Sequence, residues 1–167
     1  MAASDHKQHA PAQVRVFVVT VSDSRTEETD TSGRATRALV EAAGHVVAGY
    51  RLLKDEPLEV AALIRRIADE RIADVVVTSG GTGISARDST YEAVVSLLDK
   101  RLDGFGEIFR MLSYAEIGSA AMMSRAVAGV HKSVAVFALP GSTGAVTLAL
   151  EKLIIPELGH LVFESHR

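Results

Sequence analysis

Residues Ala73–Leu97 read ADVVVTSGGTGISARDSTYEAVVSL. The opening run, with Val75, Val76 and Val77, is β-branched and apolar without polar alternation, which is the pattern of a strand covered on both faces. The closing run is helical, beginning near Asp88 or Ser89 and continuing through YEAVVSLLDK. Between them lie Gly80, Gly81 and Gly83, so a buried strand passes through a glycine-rich loop directly into a helix.

The same alternation extends upstream. Val14–Val21 (VRVFVVTV) repeats the strand pattern, and RATRALVEAAG (34–44) has apolar residues at helical spacing, with Ser32 as the expected cap and Gly44 as the stop. HVVAGYRLL (45–53) reads as a second strand and LEVAALIRRIADER (58–71) as a second helix, with Pro57 in its first turn. Downstream the order loosens. The segment from Arg101 reads as a loop followed by a helix from about Phe105 to Tyr114, and SRAVAGVHKSVAVFALP has two apolar runs around HKS, a β-hairpin pattern. TGAVTLALEKLIIPELGHLVF is helical, with a break or kink expected at Pro156. Strand and helix in alternation predict an α/β fold with a mostly parallel sheet and helices on both faces.

The 167 residues fit one domain, expected over residues 14–167, with a polar, aperiodic tail at 1–13. There is no cysteine, which removes disulfides, thiolate metal sites and a Cys nucleophile and suits the cytoplasm. The net charge of −3 is spread without a basic stripe, which argues against nucleic acid. No apolar run reaches the roughly 18 residues of a membrane span.

In parallel sheets ligands bind beyond the carboxyl ends of the strands, where loops and helix N-termini converge. Those ends carry Ser22-Asp23-Ser24, Lys54-Asp55-Glu56, Ser79-Gly80-Gly81-Thr82-Gly83 and Leu139-Pro140-Gly141-Ser142. Glycine allows close approach of backbone N–H groups to an anion. Asp55 and Asp88 supply hard oxygen ligands of the kind that hold Mg²⁺ beside phosphates. Arg25, Arg34 and Arg87 sit where guanidinium groups clamp phosphates. Plainer readings compete: the glycines as a tight turn, Asp55 as a turn residue before Pro57, Asp88 as an N-cap, and AAMMSR as core filler or interface. The P-loop, the dinucleotide fingerprint and the nucleophile elbow are all absent, and the histidines are too scattered to form a metal cluster.

TSGGTGISARDST, GFGEIFRMLSYAEIGSAAMMSRA and FALPGSTGAV, in this order after SDSRT, resemble the MoaB/MogA family of molybdenum-cofactor biosynthesis proteins, which includes gephyrin-like G domains. The likeness spans about Val14 to Val162. It implies a three-layer α/β/α sandwich that binds molybdopterin and Mg-ATP, adenylylates the molybdopterin and releases pyrophosphate. By motif it implies a ligand cradle at Gly80, Gly81, Thr82 and Gly83, with Asp55 and Asp88 as catalytic and Mg²⁺-binding acids. Ser22, Asp23, Glu107, Pro140, Gly141 and Ser142 fall on family site segments. Ala86, Asp103 and Thr143 depart from the MogA pattern and look MoaB-like. The resemblance further implies a homotrimer or homohexamer. A non-catalytic molybdopterin-binding scaffold of the same pathway, and a flavodoxin-like nucleotide or flavin sensor, are the competing readings.

Overall fold

The computed structural model describes residues 9–167; the first eight residues of the expected tail lie outside the described residues. The strands are β1 (Arg15–Val21), β2 (Val46–Leu53), β3 (Val75–Ser79), β4 (Lys100–Arg101), β5 (Val127–His131) and β6 (Val134–Leu139). The helices are α1 (Thr31–Ala42), α2 (Pro57–Asp69), α3 (Thr90–Leu97), α4 (Asp103–Ile117), α5 (Thr143–Ala149) and α6 (Ile155–Ser165). One six-stranded sheet has the order β2-β1-β3-β6-β5-β4; β2, β1, β3 and β6 run parallel, and β5 is antiparallel to both β6 and β4.

Successive side chains of the central strands enter opposite layers. Val16, Val18, Val75 and Val77 pack with Val40 of α1, Phe109 of α4, Val146 of α5 and Leu158 of α6. Phe17, Val19, Val76 and Val136 pack instead with Val60 and Ile64 of α2 and Val94 of α3. Both faces are therefore dry, and this is why the strand sequences show no polar alternation. The result is a three-layer sandwich. Among the described residues no helix is long and apolar enough to cross a membrane.

Several boundaries differ from the sequence reading. Asp30, not Ser32, caps α1: its Oδ1 accepts the Gly33 N–H at 2.9 Å, while Ser32 lies inside the helix. The glycines of LDGFG do not form a loop, because α4 starts at Asp103 and runs to Ile117. Gly106 faces β5 so closely that a Cβ there would lie 2.9 Å from the Ala126 carbonyl, so this glycine lets the helix pack rather than ending it. A 3₁₀ segment, Gly118–Met123, follows. Helix α3 stops at Leu97, and Lys100–Arg101 then pair with β5, a strand too short to leave a period. The hairpin is present, and Lys132 (φ 46°) and Ser133 (φ 67°) form its two-residue turn. At Pro156 the chain widens into a π turn, Leu150–Ile154, immediately before α6. Proline then occupies the first turn of the new helix, where its missing N–H costs least.

Candidate active site

The four loops leaving β1, β2, β3 and β6 meet at one edge of the sheet. Gly80 donates its N–H to the Leu139 carbonyl at 2.9 Å and has φ +99°. A Cβ on Gly80 would sit 2.0 Å from the Val21 carbonyl oxygen, so the chain passes between the ends of β1 and β6 through a gap that only glycine fits. Gly81, at φ +70°, passes over Asp55 and Thr90: a Cβ there would be 2.1 Å from Thr90 Oγ1 and 2.6 Å from Asp55 Oδ2. The loop then folds back on α3, with Thr90 N–H donating to the Gly81 carbonyl at 3.0 Å.

Asp55 is buried beneath this loop, 6% exposed. Its Oδ1 accepts from Ser89 N–H (3.2 Å) and Ser89 Oγ (2.7 Å), capping α3 from a distant segment, whereas the Ser89 side chain makes no cap of its own. Asp88 accepts from Ser85 N–H (3.0 Å) and Ser85 Oγ (2.6 Å), both through Oδ2. Each aspartate thus commits one oxygen to the fold. Asp55 Oδ2 and Asp88 Oδ1 have no hydrogen-bond donor among the described residues.

Gly80, Gly81, Thr82, Gly83, Asp88, Pro140, Gly141 and Ser142 line one cleft of about 400 Å³, whose other wall includes Phe109, Ser113 and Ile117 of α4. Ser124 also lines it, and its Oγ, buried, has no partner among the described residues. A buried hydroxyl without a partner is uncommon in a folded chain. The other site residues expected from sequence lie outside the cleft. Ser22 Oγ accepts the Arg25 N–H at 3.0 Å and shapes the first loop. Asp23 accepts the Asp55 N–H (3.1 Å) and pairs with Arg87 (2.8 Å), which also reaches Glu56 (2.6 Å). The Arg87 hydrogen bond, aided by the Asp55 N–H, holds the Asp23 carboxyl below its ordinary range. Glu107 lines a separate cavity of about 340 Å³ with Arg101 and Arg110.

The three arginines expected to clamp phosphates are engaged with the protein. Arg87 is paired as described. Arg34 donates to the Glu28 carbonyl at 2.9 Å. Arg25 joins the first loop to the last, donating to Ser32 Oγ (2.7 Å) and the Gly141 carbonyl (3.0 Å), with Asp30 3.8 Å away.

Asp30 and Arg125 went unrecognised in the sequence. Asp30 is wholly buried; burial pushes its pKa up, but hydrogen bonds from Tyr50, Gly33 N–H and Ser32 outweigh it and hold the carboxyl below its usual value. The Asp-Thr-Ser-Gly run is a legible N-cap signal, since a short polar side chain just before a helix accepts a free N–H. Tyr50 donates to Asp30 at 2.5 Å, and its own pKa is pushed up to about 12, first by burial and then by that hydrogen bond and charge. A raised folded-state pKa contributes stability that is intact below the unfolded pKa of about 10 and is lost as pH rises through about 12. In urea titrations at successive pH values, the stability advantage of the unaltered protein over Tyr50→Phe is therefore expected to shrink between those two limits; a constant gap would show that Tyr50 does not titrate against Asp30. Arg125 donates through Nε to the Thr82 carbonyl (3.2 Å), pairs with Glu92 and lies over the Tyr91 ring at 4.8 Å. No local period marks it.

The probable molybdopterin binding domain family matches residues 17–160. The chain belongs to this molybdenum-cofactor biosynthesis family. It is 54% identical over 168 residues to molybdenum cofactor biosynthesis protein B of Bacillus subtilis, covering 100% of this chain and 99% of that one. A crystal structure of a molybdenum cofactor biosynthesis protein B superposes with a TM-score of 0.91 at 53% identity, covering 95% of this chain and 99% of that one. The tungsten cofactor synthesizing protein MoaB of Pyrococcus furiosus gives a TM-score of 0.84 at 39% identity, over 95% of this chain and 100% of that one. The family's sheet and helices are those described above, and this member places its glycine loop and LPGS loop on a single cleft.

Asp55 and Asp88 are hard oxygen donors of the kind Mg²⁺ takes, Asp88 on the cleft and Asp55 buried beneath the glycine loop. The described residues hold no group of three or more His, Cys, Asp or Glu able to bind a metal. An ion held by the free oxygens of Asp55 and Asp88 would complete its shell with phosphate oxygens and water, the usual arrangement for Mg²⁺ at a nucleotide.

Proposed function

We propose that this chain binds molybdopterin and Mg-ATP at the glycine-loop cleft and transfers AMP to the terminal phosphate of molybdopterin. A phosphate oxygen of molybdopterin bonds to the α-phosphorus of ATP, the α–β bridging bond breaks, and pyrophosphate leaves with that electron pair. The observation that carries this reading is a glycine-rich cleft with Asp88 on its lining and Asp55 buried beneath its glycine loop, each aspartate keeping one oxygen free of hydrogen bonds. Magnesium would neutralise charge developing on the phosphates. The chain aligns the two anions and offers backbone N–H groups of the glycine loop, with Phe109 and Ile117 of α4 forming the opposite wall.

Pyrophosphate release from Mg-ATP is expected only when molybdopterin is present. Molybdopterin binding without release would favour a scaffold of the same pathway. That second reading draws on the engagement of Arg25, Arg34 and Arg87, which leaves none of them ready to clamp a phosphate.

The partners further include copies of this chain. Met111, Tyr114 and Ile117 of α4 and Met122 beyond it are 61–82% exposed, a patch that suits a second copy. Ile117 also borders the cleft, so a covering copy would stand at its rim. Sedimentation equilibrium is expected to give three or six chain masses, and Met111→Glu with Tyr114→Glu a single one; an unaltered mass in the double variant would place the interface elsewhere.

A further inference from the structure

We infer that Arg125 is a positioning residue that aims two consecutive peptide N–H groups of the glycine loop into the cleft; the inference rests on the anion-binding reading above. The Gly81 carbonyl accepts from Thr90 N–H at 3.0 Å. The next carbonyl, that of Thr82, accepts from Arg125 Nε at 3.2 Å. Both acceptors are therefore held toward the base of α3, which supplies Thr90 directly and Arg125 through Glu92.

No peptide bond among the described residues is cis, and in a trans peptide the N–H points opposite to the carbonyl. Holding the 81 and 82 carbonyls outward turns the N–H groups of Thr82 and Gly83 the other way. Both residues line the cleft, Arg125 does not, and neither N–H donates to a backbone acceptor among the described residues. Two adjacent inward donors form a concave site for a phosphate oxygen.

Arg125 is well suited to fix a peptide plane. Its guanidinium is held by the Glu92 carboxylate, by the Tyr91 face at 4.8 Å and by the Thr82 carbonyl, with the side chain only 28% exposed. The same loop lies against Asp88, since a Cβ on Gly83 would be 2.6 Å from Asp88 Oδ2. A peptide flip at 82–83 would remove an N–H donor and place a carbonyl oxygen where an anion has to sit.

The test is an amide-resolved NMR titration of the full chain with inorganic pyrophosphate, on the unaltered protein, Arg125→Gln, Arg125→Lys and Glu92→Gln. The Thr82 and Gly83 resonances of the unaltered protein are expected to move saturably. In Arg125→Gln the Gly83 response should vanish and the pyrophosphate Kd weaken about tenfold, with resonances elsewhere unmoved. Lysine at 125, which donates but lacks the fork, should recover part of the response, and Glu92→Gln should weaken binding less. An unchanged Gly83 response in Arg125→Gln overturns the inference, as does a loss accompanied by shifts throughout the spectrum in both position-125 variants, or silence at both amides in the unaltered protein. Failure of adenylyl transfer is read separately: no pyrophosphate release with both substrates, while the Gly83 titration persists, defeats the transfer reading alone.

Discussion

Gly80→Ala is expected to destabilise the protein by about 3 kcal/mol, the sum of backbone strain and a hard overlap. The strain comes from φ +99° and the overlap from a Cβ placed 2.0 Å from the Val21 carbonyl oxygen. Neither β1 nor β6 can retreat, since each is paired on both sides in the middle of the sheet. Gly44→Ala isolates the first contribution. Gly44 has φ +85° but nothing within 4 Å of its Cβ position, so its replacement should cost only about 1 kcal/mol. The two variants are compared by urea unfolding midpoints at constant m. Equal losses would show that the gap between the strands can widen, and the glycine would then reflect conformation alone.

Asp88→Asn is expected to lower pyrophosphate release by at least about tenfold while leaving the unfolding midpoint in place. The amide retains the size of the carboxyl and an oxygen for the Ser85 donors, but it lacks the charge that draws a cation. Asp55→Ala should differ in kind. It removes the acceptor for Ser89 N–H and Oγ at the start of α3, and so is expected to cost about 2 kcal/mol of stability as well as turnover. Both quantities are measured on both variants, with Mg²⁺ titrated. Full turnover in Asp88→Asn would remove that residue from the metal site; a stable but inactive Asp55→Ala would mean that Ser89 finds another acceptor.

The division between what the sequence discloses and what it conceals follows from range. Val75–Val77, followed by glycine and a helix, disclosed a buried parallel strand and the loop that becomes the cleft, because period and glycine placement are local properties. The hairpin was legible for the same reason. The arrangement around Asp55 was not: its role as a cap depends on Ser89, 34 residues away, and no spacing rule connects them. Arg25, Arg34 and Arg87 have the same composition whether they face a phosphate or a carbonyl, and only the folded contacts separate these cases. Glu107 sits on a family motif yet opens onto a different cavity of the chain from the glycine loop, since Gly106 and Arg110 of α4 line that cavity with it, whereas Phe109, Ser113 and Ile117 of the same helix line the cleft. Asp103–Gly106 misled for the converse reason: Gly106 serves close packing of α4 on β5, which a propensity scale scores as a helix breaker.

The strand order bears on how the molecule comes into being. The β5–β6 hairpin closes over the two-residue turn at Lys132 and Ser133, a step on the order of microseconds. Pairing β3 with β6 joins Val75 to Ala135 across α3, β4 and α4, and that ordering entropy is lost before the pairing returns any stability. The glycine loop leaves β3 and the LPGS loop leaves β6, so the two walls of the cleft meet only when this slow closure is complete. A chain with its hairpin formed and its central strands still apart has no place for an anion, and ligand captures only the finished molecule, pulling the last step of folding toward completion.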